Sequence, residues 1–151
     1  MAERFKLIPE VCLLVIKDDK ILLLRRRNTG WHDGWYCTPA GHVEDRETMR
    51  EAAAREALEE VGITVKPEDL EFVHVQHRWS TNNGGHSRVG FYFVARMFEG
   101  EPHNTEPEKC DDLAYFPLTG LPEKFIPPFR LAVESYLRRV DYSEYGWEQK
   151  I

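Results

Sequence analysis

Residues 11–17, VCLLVIK, are apolar at both odd and even positions, a pattern that predicts a strand buried on both faces. Asp18, Asp19 and Lys20 form a polar turn, and residues 21–24, ILLL, read as a second strand hairpin-paired with the first. A loop rich in turn formers and aromatics, RNTGWHDGWYCTPAG, follows. Residues 48–61 then switch to helical spacing, with Ala54, Ala57, Leu58 and Val61 as the expected buried stripe and Gly62 as the stop. Residues 71–80 (EFVHVQHRWS) and 88–98 (RVGFYFVARMF) return to strand patterning, and the polar TNNGGH between them predicts a hairpin loop. A short strand is expected over 113–116. A final helix is expected over 128–140, with Phe129, Ala132, Val133, Tyr136, Leu137 and Val140 at helical spacing after Pro127-Pro128. Strands, helix, strands, helix is the order of an α/β sheet covered by helices.

The chain of 151 residues is most simply one domain, with a core over about 8–140 and an aromatic, charged tail over 141–151. That tail, DYSEYGWEQKI, is open to three readings: a loose end, a cover over part of a site, or a subunit contact. No apolar run approaches the roughly 18–20 residues that span a bilayer, and MAERFKLIPE lacks the apolar segment of a secretory signal. Cys12, Cys37 and Cys110 form neither a C-x-x-C motif nor a disulfide framework, which points to reduced thiols in a cytoplasmic protein. The formal net charge of −6 argues against a nucleic-acid polymer as partner. An anionic small ligand would need a local offset to that background, and a bound cation supplies one.

Residues 55–60, REALEE, carry an arrangement that works against the helix. At about 100° per residue, Glu56 and Glu60 lie some 40° apart and Glu59 falls on their other flank. Like charges at i,i+4 cost a helix a few tenths of a kcal/mol per pair. Hard cations such as Mg²⁺ take carboxylate oxygens as ligands, and an ion seated between the carboxylates removes the penalty.

The spacing around this cluster is also specific. Gly41 is followed after five residues by Glu47, and after seven more by Arg55-Glu56. Ala57, Leu58, Glu59-Glu60, Val61, Gly62 and Ile63 complete the run. This resembles the Nudix box, G-x5-E-x7-R-E-U-x-E-E-x-G-U with U a bulky aliphatic; only the first U departs, being Ala57. Pro39-Ala40-Gly41 stands where the family has a strand ending in Pro-x-Gly.

The resemblance implies a Nudix α/β/α sandwich with a mixed sheet flanked by helices. It also implies Mg²⁺-dependent hydrolysis, with Mn²⁺ as substitute, of a diphosphate linkage in a nucleoside diphosphate joined to another group. A nucleoside triphosphate pyrophosphatase suits the small size. The alternative is a catalytically silent nucleotide sensor of the same fold, which would be expected to lose box carboxylates. Carried over position by position, Glu56, Glu59 and Glu60 are metal ligands with the Ala40 carbonyl as a fourth. Glu56 is the first candidate for general base, with Glu59 beside it in the catalytic set; Arg55 orients a carboxylate and Glu47 braces the loop. Glu106 and Glu108 lie in a loop that supplies a further carboxylate in many family members, and Glu108 is the choice between them. Of the arginines ending the second strand, Arg25 and Arg27 are candidates to meet phosphate. Trp35 and Trp79 are candidates to stack on a base. Monomer and homodimer are both compatible with the family.

Overall fold

β1 (Ile8–Lys17) and β2 (Lys20–Arg26) form the expected hairpin, turning through Asp18 and Asp19. Both have positive φ, 52° and 58°, as a tight two-residue hairpin turn requires. The computed structural model describes residues 2–149. Eight strands make one mixed sheet, joined by β3 (Tyr36–Cys37), β4 (Ala40–His42), β5 (Glu71–Ser80), β6 (His86–Ala95), β7 (Cys110–Pro117) and β8 (Tyr142–Tyr145). The strand order is β3-β2-β1-β6-β5-β8, with β4 also on β1 and β7 also on β2. β1 runs parallel to β6 from Ile8↔Arg88 to Val15↔Ala95, which places the most apolar strand at the centre.

The two-sided burial of β1 reflects a core on each face of the sheet. Val11, Leu13 and Val15 pack on one face with Ala53, Ala57 and Val61 of α1 (Met49–Val61). Cys12, Leu14 and Ile16 pack on the other with Phe129, Ala132 and Val133 of α2 (Pro127–Leu137). This is the helix–sheet–helix sandwich that the pattern implied.

Both helices differ in detail from their expected stripes. In α1 the buried residues are Ala52, Ala53, Glu56, Ala57 and Val61, whereas Leu58 is 56% exposed. The helix is rotated so that Glu56 faces inward and the bulkiest aliphatic is turned to solvent. α2 stops at Leu137; Arg138 caps it and Arg139 takes a positive φ of 59°, leaving Leu137 and Val140 exposed. The strand expected over 113–116 runs the length of β7, because it pairs along β2 from Lys20↔Pro117 to Arg26↔Cys110.

The tail is built into the sheet. β8 pairs in parallel with β5, and buried His74 bonds the Val140 carbonyl and Ser143 Oγ, each at 2.8 Å. Gln76 donates to Ser143 Oγ at 3.1 Å and to the Pro128 carbonyl at 2.9 Å, so Ser143 ties β5 to the tail and Gln76 ties β5 to α2. Trp147 donates to the His77 carbonyl and packs on the His77 and Trp79 rings. Residues 150–151 of the tail lie outside the described residues. No helix among the described residues is long and apolar enough to cross a membrane.

Ser143→Ala leaves two buried side chains short of a partner and is expected to cost about 1–3 kcal/mol in urea unfolding. Leu58→Gln, at an exposed position, is expected to stay within roughly 0.5 kcal/mol.

Candidate active site

The site grows from a split in the sheet. β1 pairs with β4 at its start, through Glu10, Val11 and Cys12, and with β2 at its end, through Ile16 and Lys17. Between these ladders the chain crosses from one to the other: Cys37 pairs with Leu24 of β2, and Ala40 pairs with Cys12 of β1. Thr38 and Pro39 are the crossing residues, and Leu13 donates its N–H to the Pro39 carbonyl at 2.9 Å. A cavity of about 530 Å³ opens over this crossing, a size that suits a nucleotide-scale ligand.

α1 closes one end of the cavity. Thr48 caps its N-terminus in a capping box with Glu51, and Gly62 ends it in a left-handed turn at φ 71°. Gly41 lies against the carboxylate of Glu56: a Cβ there would fall 2.0 Å from Glu56 Oε1. The glycine that opens the box therefore makes room for a carboxylate of the helix.

Arg55 organises the acidic groups. Its Nε and Nη2 form a fork on Glu47 at 3.0 and 2.7 Å, and Nη2 also reaches the His42 carbonyl at 3.0 Å. Nη1 donates to Glu56 at 2.8 Å and to Glu59 at 3.2 Å. The Arg55 fork holds Glu47 below the usual carboxylate range, and Glu47 in turn raises the Arg55 pKa.

The carboxylates at the cavity behave differently. Burial, then the neighbouring Glu56 charge, pushes Glu60 up to about 8, although the Ala40 N–H donates to it at 3.2 Å. Burial also raises Glu56, with Arg55 opposing it and the charges of Glu59 and Glu106 adding to it. Such crowding disfavours ionisation until a cation arrives.

Glu56, Glu60, Glu106, Ala40 and Gly41 line the acidic end of the cavity. Glu59 stands outside that lining with its side chain 55% exposed, held by Arg55. Among the described residues, no three metal-ligating side chains already converge on one point. Arg55 holds both Glu56 and Glu59, so a cation in the cavity would share the Glu56 carboxylate with it. The donor set, all hard oxygens with a neighbouring backbone carbonyl, fits Mg²⁺ or Mn²⁺.

Outside the box the cavity lining differs from several of the expected candidates. Glu106 lines the cavity and Glu108 does not. Asn104 shapes this turn, accepting from Glu106 N at 3.1 Å and donating to the Cys110 carbonyl at 2.7 Å, and Glu108 is left exposed. Arg25 pairs with Asp111 at 2.7 Å and Arg27 is exposed, whereas Arg26 lines the cavity with Lys109, Asn28 and Thr29. Alternation along β2 carries the signal for this, since Leu24 and Arg26 share a face. Trp35 packs on the α2-side core, and Trp79 lines a separate pocket with Trp31, Arg78 and Tyr145. Phe129 lines the cavity because the segment before α2 is fixed to β3, with Ile126 donating to the Tyr36 carbonyl at 2.9 Å. All three cysteines are free and buried, and burial pushes the Cys37 thiol up to about 12.

An α/β/α sandwich with an arginine-braced acidic loop–helix–loop at the mouth of a nucleotide-sized cavity defines a class of phosphate-processing fold. The chain belongs to the Nudix family, whose NUDIX domain model matches residues 6–136. It is 33% identical over 124 residues to the 8-oxo-dGDP phosphatase NUDT18 of Homo sapiens, covering 78% of this chain and 36% of that protein. It is 32% identical over 122 residues to the ADP-ribose pyrophosphatase of Methanocaldococcus jannaschii, covering 80% of this chain and 69% of that protein. The MutT NUDIX hydrolase structure from Burkholderia pseudomallei superposes with a TM-score of 0.77 at 28% identity, over 86% of this chain and 98% of that one.

Because burial raises Glu60 to about 8 in the folded state, above its ordinary value of about 4.5, the folded state binds more protons between those limits. The Glu60 contribution is fully present below about 4.5 and lost as pH rises through about 8. Metal-free protein is therefore expected to lose more stability from pH 6 to pH 9 than Glu60→Gln does. Thermal unfolding with EDTA checks this, and added Mg²⁺ is expected to restore the wild type at pH 9.

Proposed function

We propose that the chain is a Mg²⁺-dependent hydrolase of a phosphoanhydride bond in a nucleotide derivative, with a nucleoside triphosphate as the leading substrate class. The observation that carries this reading is the grouping of Glu56, Glu60 and Glu106 at one end of a cavity that also holds Arg26 and Lys109. Acidic groups alone would repel a diphosphate, and basic groups alone would bind it without activating water. When bound, the divalent cation screens the phosphate charge and lowers the pKa of water. Glu56, Glu60 and Glu106 with the Ala40 carbonyl would hold that cation, and Mn²⁺ could replace Mg²⁺.

The chain's own groups do the rest. Arg55 donates to Glu56 at 2.8 Å, which favours the ionised form needed to take a proton from water. Arg26, whose Nε is fixed on the Trp31 carbonyl at 2.8 Å, presents its charge to a phosphate oxygen. Lys109 adds a second cation beside Glu106. Glu59, outside the lining, serves as a rim carboxylate that shares Arg55 with Glu56. The Nudix domain acts in the cytoplasm, as monomer or homodimer, on a small nucleotide rather than a nucleic-acid polymer. The net charge of −6 supports the last point.

Hydrolysis is to be followed with nucleoside triphosphates, oxidised dGTP, ADP-ribose, nucleotide sugars and dinucleoside polyphosphates, with and without Mg²⁺. Turnover is expected only with the metal. Glu60→Gln is expected to lower kcat/KM by about 100-fold or more and Glu106→Gln by at least about tenfold, with Glu108→Gln within roughly twofold of wild type. Tight nucleotide binding without cleavage of any substrate would favour a sensor instead.

A further inference from the structure

Thr38 is 1% exposed, and its hydroxyl is one of four buried side-chain polar atoms without a hydrogen-bond partner among the described residues. The others are His86 Nε2, Arg88 Nε and the Tyr115 hydroxyl, and none of those residues lines the 530 Å³ cavity; Thr38 does. An unpaired buried hydroxyl lowers the folding equilibrium by about fivefold or more, and a valine of the same shape would avoid that cost.

Its position suggests a use. Thr38 lies in the segment that crosses the split in the sheet, two residues before Ala40 and so within about 7 Å of it. Beside Glu56, Glu60 and Glu106, the same cavity is lined by the apolar Leu24 and Phe129 and by the thiols of Cys37 and Cys110. Burial raises both thiols and keeps them neutral, so this lining is uncharged. Uncharged lining with an aromatic ring suits the flat face of a base, and the Thr38 hydroxyl among those groups supplies direction.

We propose that Thr38 is a specificity-determining residue that hydrogen-bonds the edge of the substrate's nucleobase. This rests on the nucleotide reading of the same cavity. A threonine hydroxyl can donate and accept, so it sets a preference among base edges rather than an absolute requirement. No protein group among the described residues pairs the Thr38 hydroxyl, and a bound base would supply a partner.

The test pairs ligand-free stability with equilibrium binding. Thermal unfolding is measured for wild type, Thr38→Val and Thr38→Ser. Affinities for ATP, GTP, CTP and UTP are measured by calorimetry with Ca²⁺ in place of Mg²⁺. Thr38→Val is expected to raise Tm by about 2–4 °C. It is also expected to weaken the triphosphate that wild type binds most tightly by about five- to tenfold, narrowing the spread among the four. Thr38→Ser is expected to keep the spread. A fall in Tm for Thr38→Val would show that the fold itself uses the hydroxyl and would overturn the proposal. So would a spread unchanged by the substitution, or a wild type that binds all four within twofold. A base preference that depends on Thr38 in a protein that hydrolyses nothing would leave this proposal standing and remove the hydrolase reading.

Discussion

Everything at this site follows from placing glutamates closer together than their charges favour. Arg55 makes that placement tolerable: its five N–H donors meet five acceptors, two on Glu47 and one each on Glu56, Glu59 and the His42 carbonyl. One planar cation thus joins the loop before the helix, the helix itself and the end of β4. Removing its charge would leave Glu56 buried beside Glu59 and Glu106 with no offset. Lysine could not reproduce the fork on Glu47. Arg55 balances the helix side of the cluster, and Glu60, which it does not reach, is the carboxylate raised to about 8.

The sheet decides where this cluster is used. A central strand paired with β4 at one end and β2 at the other leaves a split, and the crossing segment brings Cys37, Thr38, Ala40 and Gly41 to the cavity within five residues. Gly41 shows how tightly the two halves interlock, since even a methyl group there would overlap the Glu56 carboxylate. The rest of the lining comes from β2, the loop before β7, and α2, so the helix glutamates meet Glu106, cations and apolar groups from distant parts of the chain. Buried Glu10, paired with Arg78 at 2.9 Å and Arg88 at 3.0 Å, links β1, β5 and β6 within the sheet from which the site opens.

Much of this was legible in the sequence, for local reasons. The helix, its cap, its glycine stop and the glutamate spacing depend on residues within a few turns of one another. Two-sided apolarity over residues 11–17 marked a buried strand, and the order of strands and helices implied a sheet covered by helices. What misled was the inference of side-chain direction from apolarity alone. Leu58 looked like core, yet the helix turns Glu56 inward because its carboxylate belongs at the cavity. Arg25 and Arg27 were the candidates at the end of β2, yet it is Arg26, on the face of Leu24, that lines the cavity. Glu106 rather than Glu108 lines the cavity because of a turn centred on Asn104, which bonds Glu106 and Cys110, and that turn was not readable from the loop's sequence. The tail's role was hidden for the same reason: its partners, His74 and Gln76, lie more than sixty residues away in sequence.

The central claim is that the crowded glutamates wait for a divalent cation, and proton release on metal binding tests it most directly. With Glu60 raised to about 8, the metal-free protein holds a proton there at pH 7 that the ion must expel. Calorimetric titration with Mg²⁺ in buffers of different ionisation enthalpy should therefore report about one proton released at pH 7 and far fewer at pH 9. Magnesium that fails to bind, or that binds with no proton release at either pH, would contradict the account.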